Sequence, residues 1–80
     1  MVSMNELVEQ IKELDSEMSM TLNLTNGDSM EVGAADCWIG GEGCDGWMCD
    51  YLGNTVYSDA NSLAEEIFDN LDGAEIESID

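Results

Sequence analysis

The chain has 80 residues, and its 19 acidic side chains against a single basic one, Lys12, give it a net charge of −18. That charge repels phosphate and disfavours direct binding to nucleic acid or to an anionic membrane surface, while the absence of His and Arg excludes a His-based catalytic dyad and an arginine clamp. A hydrophobic content of 44% is nevertheless typical of a folded protein, and the length fits one small domain with a modest core.

The first predicted element is an amphipathic helix from Ser3 to Asp15. Ser3 and Glu6 have the spacing of a capping box, in which the serine hydroxyl caps the first turn. Apolar residues recur at helical spacing along one face, namely Met4, Leu7, Val8, Ile11 and Leu14. Glu6, Glu9 and Glu13 fall on the opposite face, which we expect to be solvated.

A β-hairpin follows the helix. Residues 18–25 alternate strictly between apolar and polar side chains, which predicts a half-buried strand. Its inward residues are Met18, Met20, Leu22 and Leu24. Residues 26–28 read Asn-Gly-Asp, a strong turn signal, and Met30 and Val32 continue the inward face in a second strand. The outward face is polar and largely uncharged, with Ser19, Thr21, Asn23, Thr25 and Glu31.

The middle of the chain is less regular. Residues 36–39 are compatible with a short strand, and residues 40–46 form an acidic, glycine-rich loop. Residues 47–52 predict another strand, and residues 53–57 predict a turn and a return strand. Alternation alone does not settle which face of residues 47–52 is buried.

A second helix is predicted to open at Ser58-Asp59 and to stop at Gly73. Its apolar stripe comprises Leu63, Ala64, Ile67, Phe68 and Leu71. Residues 74–80 form an acidic C-terminal tail, which is either frayed or a short edge strand. The element order predicts one compact α+β domain over residues 1–73, an antiparallel sheet of three to five short strands with both helices on one face.

Three cysteines, Cys37, Cys44 and Cys49, lie in the middle segment without any CxxC pair. A zinc site there would need an aspartate as its fourth ligand, so reduced thiols are expected, with a Cys37–Cys44 disulfide left open. The glycine-rich loop lacks the lysine of a phosphate loop and the ligand pattern of an EF-hand. We therefore predict no metal and no other cofactor. A paired-carboxylate hydrolase needs a cleft that 80 residues hardly provide, so we also expect no enzymatic activity.

The acidic surface is the strongest functional signal. Glu65, Asp69 and Asp72 recur at helical spacing, which places such carboxylates about 5–6 Å apart along a helix, whereas a nucleic-acid strand carries one charge per ~3.4 Å of axis. Such an array is either a solvated helix face or an occupant of a basic groove built for phosphates. The like-charge repulsion along the whole chain favours a strongly basic partner.

The candidate partner-binding surface combines these carboxylates with residues of the middle segment. Its acidic members are Asp36, Glu42, Asp45, Asp50, Glu65, Glu66, Asp69 and Asp72. Three aromatic residues, Trp38, Trp47 and Tyr51, would add desolvated contact area, as aromatic anchors do at interfaces. For the two tryptophans the alternative is a place in the small core.

The opening helix, Met4-Asn5-Glu6-Leu7-Val8-Glu9-Gln10-Ile11-Lys12, is followed by antiparallel strands and an acidic helix. In this order and in its charge the chain resembles small acidic phage inhibitors that imitate nucleic acid, and it is most similar to anti-CRISPR proteins that occupy the protospacer-adjacent-motif site of Cas9. The resemblance implies a non-enzymatic inhibitor of a CRISPR effector or a similar nuclease. The alternative is a small acidic phage or bacterial interaction module, whose charge serves solubility.

Two further features bear on the compartment of the protein. No apolar run approaches the roughly 18 residues of a membrane-spanning helix, and the N-terminal residues lack the pattern of a signal peptide. Together with the implied partner, this predicts a protein in the cytoplasm of the host cell. The sequence leaves the oligomeric state open.

Overall fold

The computed structural model describes residues 1–14, 18–34, 46–53 and 55–80. Among these residues, two helices pack on one face of a four-stranded antiparallel sheet, the α+β arrangement predicted from the sequence. The helices are α1 (Met4–Lys12) and α2 (Ala60–Asp69). The strands are β1 (Ser19–Leu24), β2 (Ser29–Ala34), β3 (Trp47–Cys49) and β4 (Ile76–Ile79). They lie side by side in the order β3-β2-β1-β4.

Helix α1 begins as predicted. The Glu6 backbone N–H donates to the Ser3 hydroxyl at 3.2 Å, so Ser3 is the N-cap. The apolar stripe faces the sheet, and Leu7 and Ile11 are fully buried. The helix ends at Lys12, and the predicted end, Asp15, lies outside the described residues.

The β1–β2 hairpin also confirms the prediction. The turn residue Gly27 has a φ of 92°, and the Asp28 N–H donates to the Asn26 side-chain oxygen at 2.9 Å. One position is corrected: Met18 was expected to point inward, but its side chain is 47% exposed. Met18 lies just before β1, where strand geometry no longer assigns alternate side chains to opposite faces.

The predicted strand over residues 47–52 is wrong in its second half. Only Trp47–Cys49 pairs with β2, and Asp50–Leu52 forms a 3-10 turn. The Asp50 carboxylate accepts the Glu31 backbone N–H at 2.9 Å, so a side chain takes the place of the next strand residue. Both faces of β3 are covered, because Met48 and Cys49 are each buried.

The predicted return strand is reduced to one bridge, in which Trp47 and Tyr57 exchange two backbone hydrogen bonds of 2.9 Å. Gly46 precedes this bridge with a φ of 143°, and a Cβ there would collide with the Tyr57 carbonyl. A glycine is therefore required at this end of the acidic loop. The predicted strand over residues 36–39 and the loop residues 40–45 lie outside the described residues.

Helix α2 is capped by Asp59, which accepts the Asn61 N–H at 3.1 Å. The helix ends at Asp69, earlier than the predicted stop at Gly73. Asp72, with a φ of 53°, and Gly73, with a φ of 88°, turn the chain back toward the sheet. Asp72 therefore does not belong to the helix face on which its spacing had placed it.

Of the two alternatives for residues 74–80, the structure has the edge strand. Strand β4 runs antiparallel to β1, with Leu22 opposite Ile79. Thr21 and Asp80 exchange backbone hydrogen bonds of 3.0 and 2.8 Å beyond that pair. Ile76 is 1% exposed, so this segment is part of the folded domain rather than a frayed tail.

The core lies between the sheet and the two helices. Its fully buried side chains come from every layer, and they include Leu7, Ile11, Leu22, Val32, Leu63, Ile67 and Ile76. In the described ranges no polar or charged residue is buried. In this part of the chain the apolar interior and the charged side chains are thus separated completely, as the cost of burying an unpaired carboxylate requires.

Candidate functional site

The acidic side chains lie on the surface. Every Asp and Glu of the described residues is exposed: Glu6, Glu9, Glu13, Asp28, Glu31, Asp50, Asp59, Glu65, Glu66, Asp69, Asp72, Glu75, Glu77 and Asp80. The single lysine of the sequence neutralises one of these carboxylates at most. The field around the described surface is therefore negative, and a field of that sign attracts cationic groups.

Helix α2 gathers three of the predicted site residues on one face. Its inward residues Leu63 and Ile67 are fully buried, which turns Glu65, Glu66 and Asp69 toward solvent. We call these three carboxylates the α2 acidic face. Residues three and four apart on a helix have Cβ atoms about 5–6 Å from one another, so the three charges form one compact group.

The α2 acidic face lies at the electrostatically unfavourable end of its helix. No basic residue occupies the last turn of α2, and that end of a helix carries the negative pole of the macrodipole. The Asn70 side chain caps the helix by donating to the Glu66 carbonyl at 2.8 Å. The carboxylates here raise the energy of the isolated domain, which a cationic partner would relieve.

Asp50 and Tyr51 form a second group on the 3-10 turn after β3. Tyr51 is 54% exposed, so its ring is accessible to a second molecule. Asp50 is exposed as well, although one of its oxygens already accepts the Glu31 N–H. Within the described residues no hydrogen bond joins this group to the α2 acidic face.

Trp47 packs against the core, which was the alternative to partner contact that the sequence left open. Its ring is half-buried against the core, and its indole N–H donates to the Leu14 carbonyl at 3.4 Å. This contact ties the chain after α1 to strand β3. The other site residues of the middle segment, Asp36, Trp38, Glu42 and Asp45, lie outside the described residues.

Of the three cysteines, Cys49 alone lies in the described residues, and its thiol is buried and free. Burial raises the pKa of its thiol, and the neighbouring Asp50 charge raises that pKa further, while backbone N–H groups of Tyr51 and Leu52 oppose the shift. A thiol of this kind stays neutral and unreactive. In residues 1–14, 18–34, 46–53 and 55–80, no cluster of three potential metal ligands occurs.

Sequence reasoning missed one surface feature, a groove of about 330 Å³ beside the N-terminal segment. Val2, Phe68, Leu71 and Ile76 form its apolar walls, and Met1 and Glu75 lie at its rim. We call it the terminal groove. No local pattern signals it, because it arises only when residues 1–2 lie against β4, more than 70 positions later in the chain.

No family model, no curated protein and no solved structure matches the chain. The resemblance to anti-CRISPR proteins accordingly stays a prediction. Among the helices described, none is both long and apolar enough to cross a membrane.

Proposed function

We propose that this protein is a non-enzymatic inhibitor that occupies the basic nucleic-acid-binding groove of a host defence nuclease, of which a CRISPR effector is the leading candidate. One observation carries the proposal: all acidic side chains of the described residues are exposed, in a chain of net charge −18. Carboxylates would stand in for phosphates opposite Lys and Arg of the partner.

The α2 acidic face is the proposed centre of the contact. Its three carboxylates project from a helix whose opposite side is locked into the core by Leu63 and Ile67. A charge array on a rigid element loses little conformational freedom on binding, which favours affinity. Asp50 and Tyr51 supply a second contact, with Tyr51 adding apolar area.

The mechanism is competition for one site. The negative field of the inhibitor speeds its encounter with a basic groove, and the bound inhibitor then excludes the duplex. Binding of this kind weakens with salt, because counterions screen exposed charges over about 10 Å at 0.1 M. Inhibition should thus depend on ionic strength and on the order in which inhibitor and DNA reach the enzyme.

The test uses a purified Cas9-type effector with its guide RNA and a labelled target duplex. We expect full inhibition of cleavage when the protein is added before the duplex, and little when the duplex is bound first. Raising NaCl from about 50 to about 200 mM should reduce inhibition strongly, as it does for groove–phosphate contacts. Inhibition that is independent of both salt and order of addition would refute competition for the groove.

A matched pair of variants locates the contact. The test variant neutralises the α2 acidic face through Glu65→Gln, Glu66→Gln and Asp69→Asn. The control neutralises Glu9 of α1, Glu13 at the C-cap of that helix and an aspartate of the hairpin turn through Glu9→Gln, Glu13→Gln and Asp28→Asn. Both variants lose the same residue types and carry a net charge of −15, which is −18 plus 3.

We expect the test variant to inhibit about tenfold more weakly than the native chain and the control to stay within about threefold, since three exposed ion pairs contribute roughly 0.2–1 kcal/mol each. Equal losses in both variants would remove α2 from the centre of the contact. Undiminished inhibition in both would contradict the charge-based mechanism and favour the acidic interaction module.

A further inference from the structure

The terminal groove is held open by contacts within the fold. The Val2 N–H donates to the Ile76 carbonyl at 2.9 Å, and the Ala74 N–H donates to the Leu71 carbonyl at 2.9 Å. Leu71 and Ile76 also belong to the core, so these two walls of the groove are fixed by the packing of the domain. The groove is therefore preformed, as binding sites usually are.

The mouth of the groove leaves apolar surface accessible. Met1 is 73% exposed and Phe68 is only half-buried, on a surface that otherwise carries carboxylates. A concave site with apolar walls and a few polar groups is the usual form of a small binding site. Methionine at the rim adds an adaptable contact, since its unbranched thioether fits irregular partners.

The charge around the groove selects the chemistry of its occupant. Glu75 lies at the rim, and the exposed Asp72 precedes it on the same turn. The Met1 α-amino group brings one positive charge to the groove against these two carboxylates, and Lys12, the single basic side chain, lies at the far end of α1, about 14 Å along the helix axis from Ser3. A second copy of this chain would bring like charge to an acidic rim, whereas a cationic segment is complementary to it.

We propose that the terminal groove receives a leucine-sized apolar side chain that is flanked by Lys or Arg on the basic partner. The inference deepens the proposed function and rests on it, because it names the feature of the partner that adds specificity to the charge. A volume of about 330 Å³ is at the small end of binding sites, so the groove has room for one apolar side chain with the backbone beside it rather than for a long segment.

The first test titrates the ¹⁵N-labelled full chain with two blocked peptides, Lys-Lys-Leu-Lys-Lys and Lys-Lys-Ser-Lys-Lys, and follows the backbone amides by NMR. We expect the leucine peptide to bind about tenfold more tightly than the serine peptide, as burial of one leucine implies. Its largest shifts should fall on Val2, Leu71, Ala74 and Ile76. Equal affinities, or shifts that leave these amides unchanged, would overturn the proposal.

A second test fills the groove with Ala74→Met, whose side chain extends from the groove lining. The leucine peptide should then bind no better than the serine peptide. The control is Ser58→Met, which adds a methionine to an exposed position before α2, at the other end of that helix. Glu75→Gln should weaken both peptides by about two- to fivefold, as loss of one exposed ion pair does.

The groove and the proposed function fail separately. If Ala74→Met, shown to be folded by circular dichroism, inhibits the nuclease as well as the native chain while neutralisation of the α2 acidic face weakens inhibition about tenfold, the groove proposal is overturned and the inhibitor remains. If the leucine peptide occupies the groove but no nuclease is inhibited, the proposed function is overturned and the groove stands as a site for cationic, apolar segments.

Discussion

Asp69→Asn should stabilise the isolated domain although Asp69 is assigned to partner binding. Asp69 ends α2 with Glu65 four residues before it and Glu66 three before it, and both are exposed. Each like-charge pair at such spacing costs roughly 0.2–0.5 kcal/mol, and a carboxylate in the last turn opposes the macrodipole by roughly 0.3–1 kcal/mol. Because Asn and Asp have similar helix propensities, the substitution removes electrostatic terms alone. We expect a gain of about 1 kcal/mol in the free energy of unfolding at low salt.

The assay is urea unfolding followed by circular dichroism, in about 10 mM and in 1 M NaCl. A gain of about 1 kcal/mol corresponds to a rise of roughly 4–8 °C in Tm for a domain of this size. The gain should largely vanish in 1 M NaCl, where charges are screened beyond about 3 Å. An Asp69→Asn protein no more stable than the native chain, or equally stabilised in both salts, would refute the reasoning.

Glu6→Gln is the matched control for this experiment. It removes one negative charge as Asp69→Asn does, but from the first turn of α1, where a carboxylate is favourable to the macrodipole. We expect it to lower the free energy of unfolding by roughly 0.3–1 kcal/mol at low salt. Opposite signs for the two variants would show that position, and not net charge, sets the effect.

Three further predictions concern the middle of the chain. Trp47→Phe removes the indole donor and should lower the free energy of unfolding by about 0.5–1.5 kcal/mol in thermal unfolding, while inhibition is retained. Loss of inhibition in a native-like fold would instead make Trp47 a contact residue. Asp50→Ala leaves the Glu31 N–H to water and should lower the free energy of unfolding by about 0.5–1 kcal/mol. Asp50→Asn keeps an acceptor oxygen and should lower it less. Equal losses in urea unfolding would contradict the role of Asp50 as the acceptor for this N–H. Cys49 should escape iodoacetamide at neutral pH until the domain unfolds, as peptide mapping by mass spectrometry would show. Since folding raises the pKa of the Cys49 thiol, its stabilising contribution is complete below the ordinary thiol pKa and is lost as pH rises through the raised value.

The parts of the fold that the sequence predicts are those whose signals are local. The Ser3 cap, the alternation from Met20 to Leu24 and the turn at Gly27 each lie within a few residues of the structure that they specify. Local hydrogen bonds and burial decide these elements before distant parts of the chain matter. The α+β class follows from their order, because two amphipathic helices and a one-sided sheet must cover one another.

The parts that the sequence left open or predicted wrongly depend on distant partners or on backbone conformation. Residues 76–79 carry only two isoleucines, and their strand exists because β1 offers an open edge more than 50 residues earlier. Asp50 ends β3 because its side chain satisfies a backbone donor of β2, which no spacing rule reveals. Asp72 lies beyond the helix, which ends at Asp69, and it adopts a left-handed φ of 53°, which Asp tolerates better than most residues.

The candidate site likewise has parts that the sequence predicts and one part that it does not. Composition alone predicts an acidic surface, because burying unpaired carboxylates is costly. The structure agrees, since no charged side chain is buried among the described residues. Spacing predicts that Glu65 and Asp69 share a helix face, and the structure agrees. The terminal groove could not be predicted, because it needs the N-terminal residues, the end of α2 and the start of β4 to meet.

The complete separation of core and charge gives the strongest argument for a partner. Because the described interior is wholly apolar, its packing does not depend on the net charge of −18. At the end of α2 the carboxylates oppose folding, since they lie at the negative pole of the helix. If the charge served solubility alone, any exposed position would serve equally well, and the two triple variants of net charge −15 would behave alike. If the charge serves recognition, only the carboxylates that meet the partner matter, so the variants must differ. A difference in inhibition between variants of equal charge thus separates recognition from solvation.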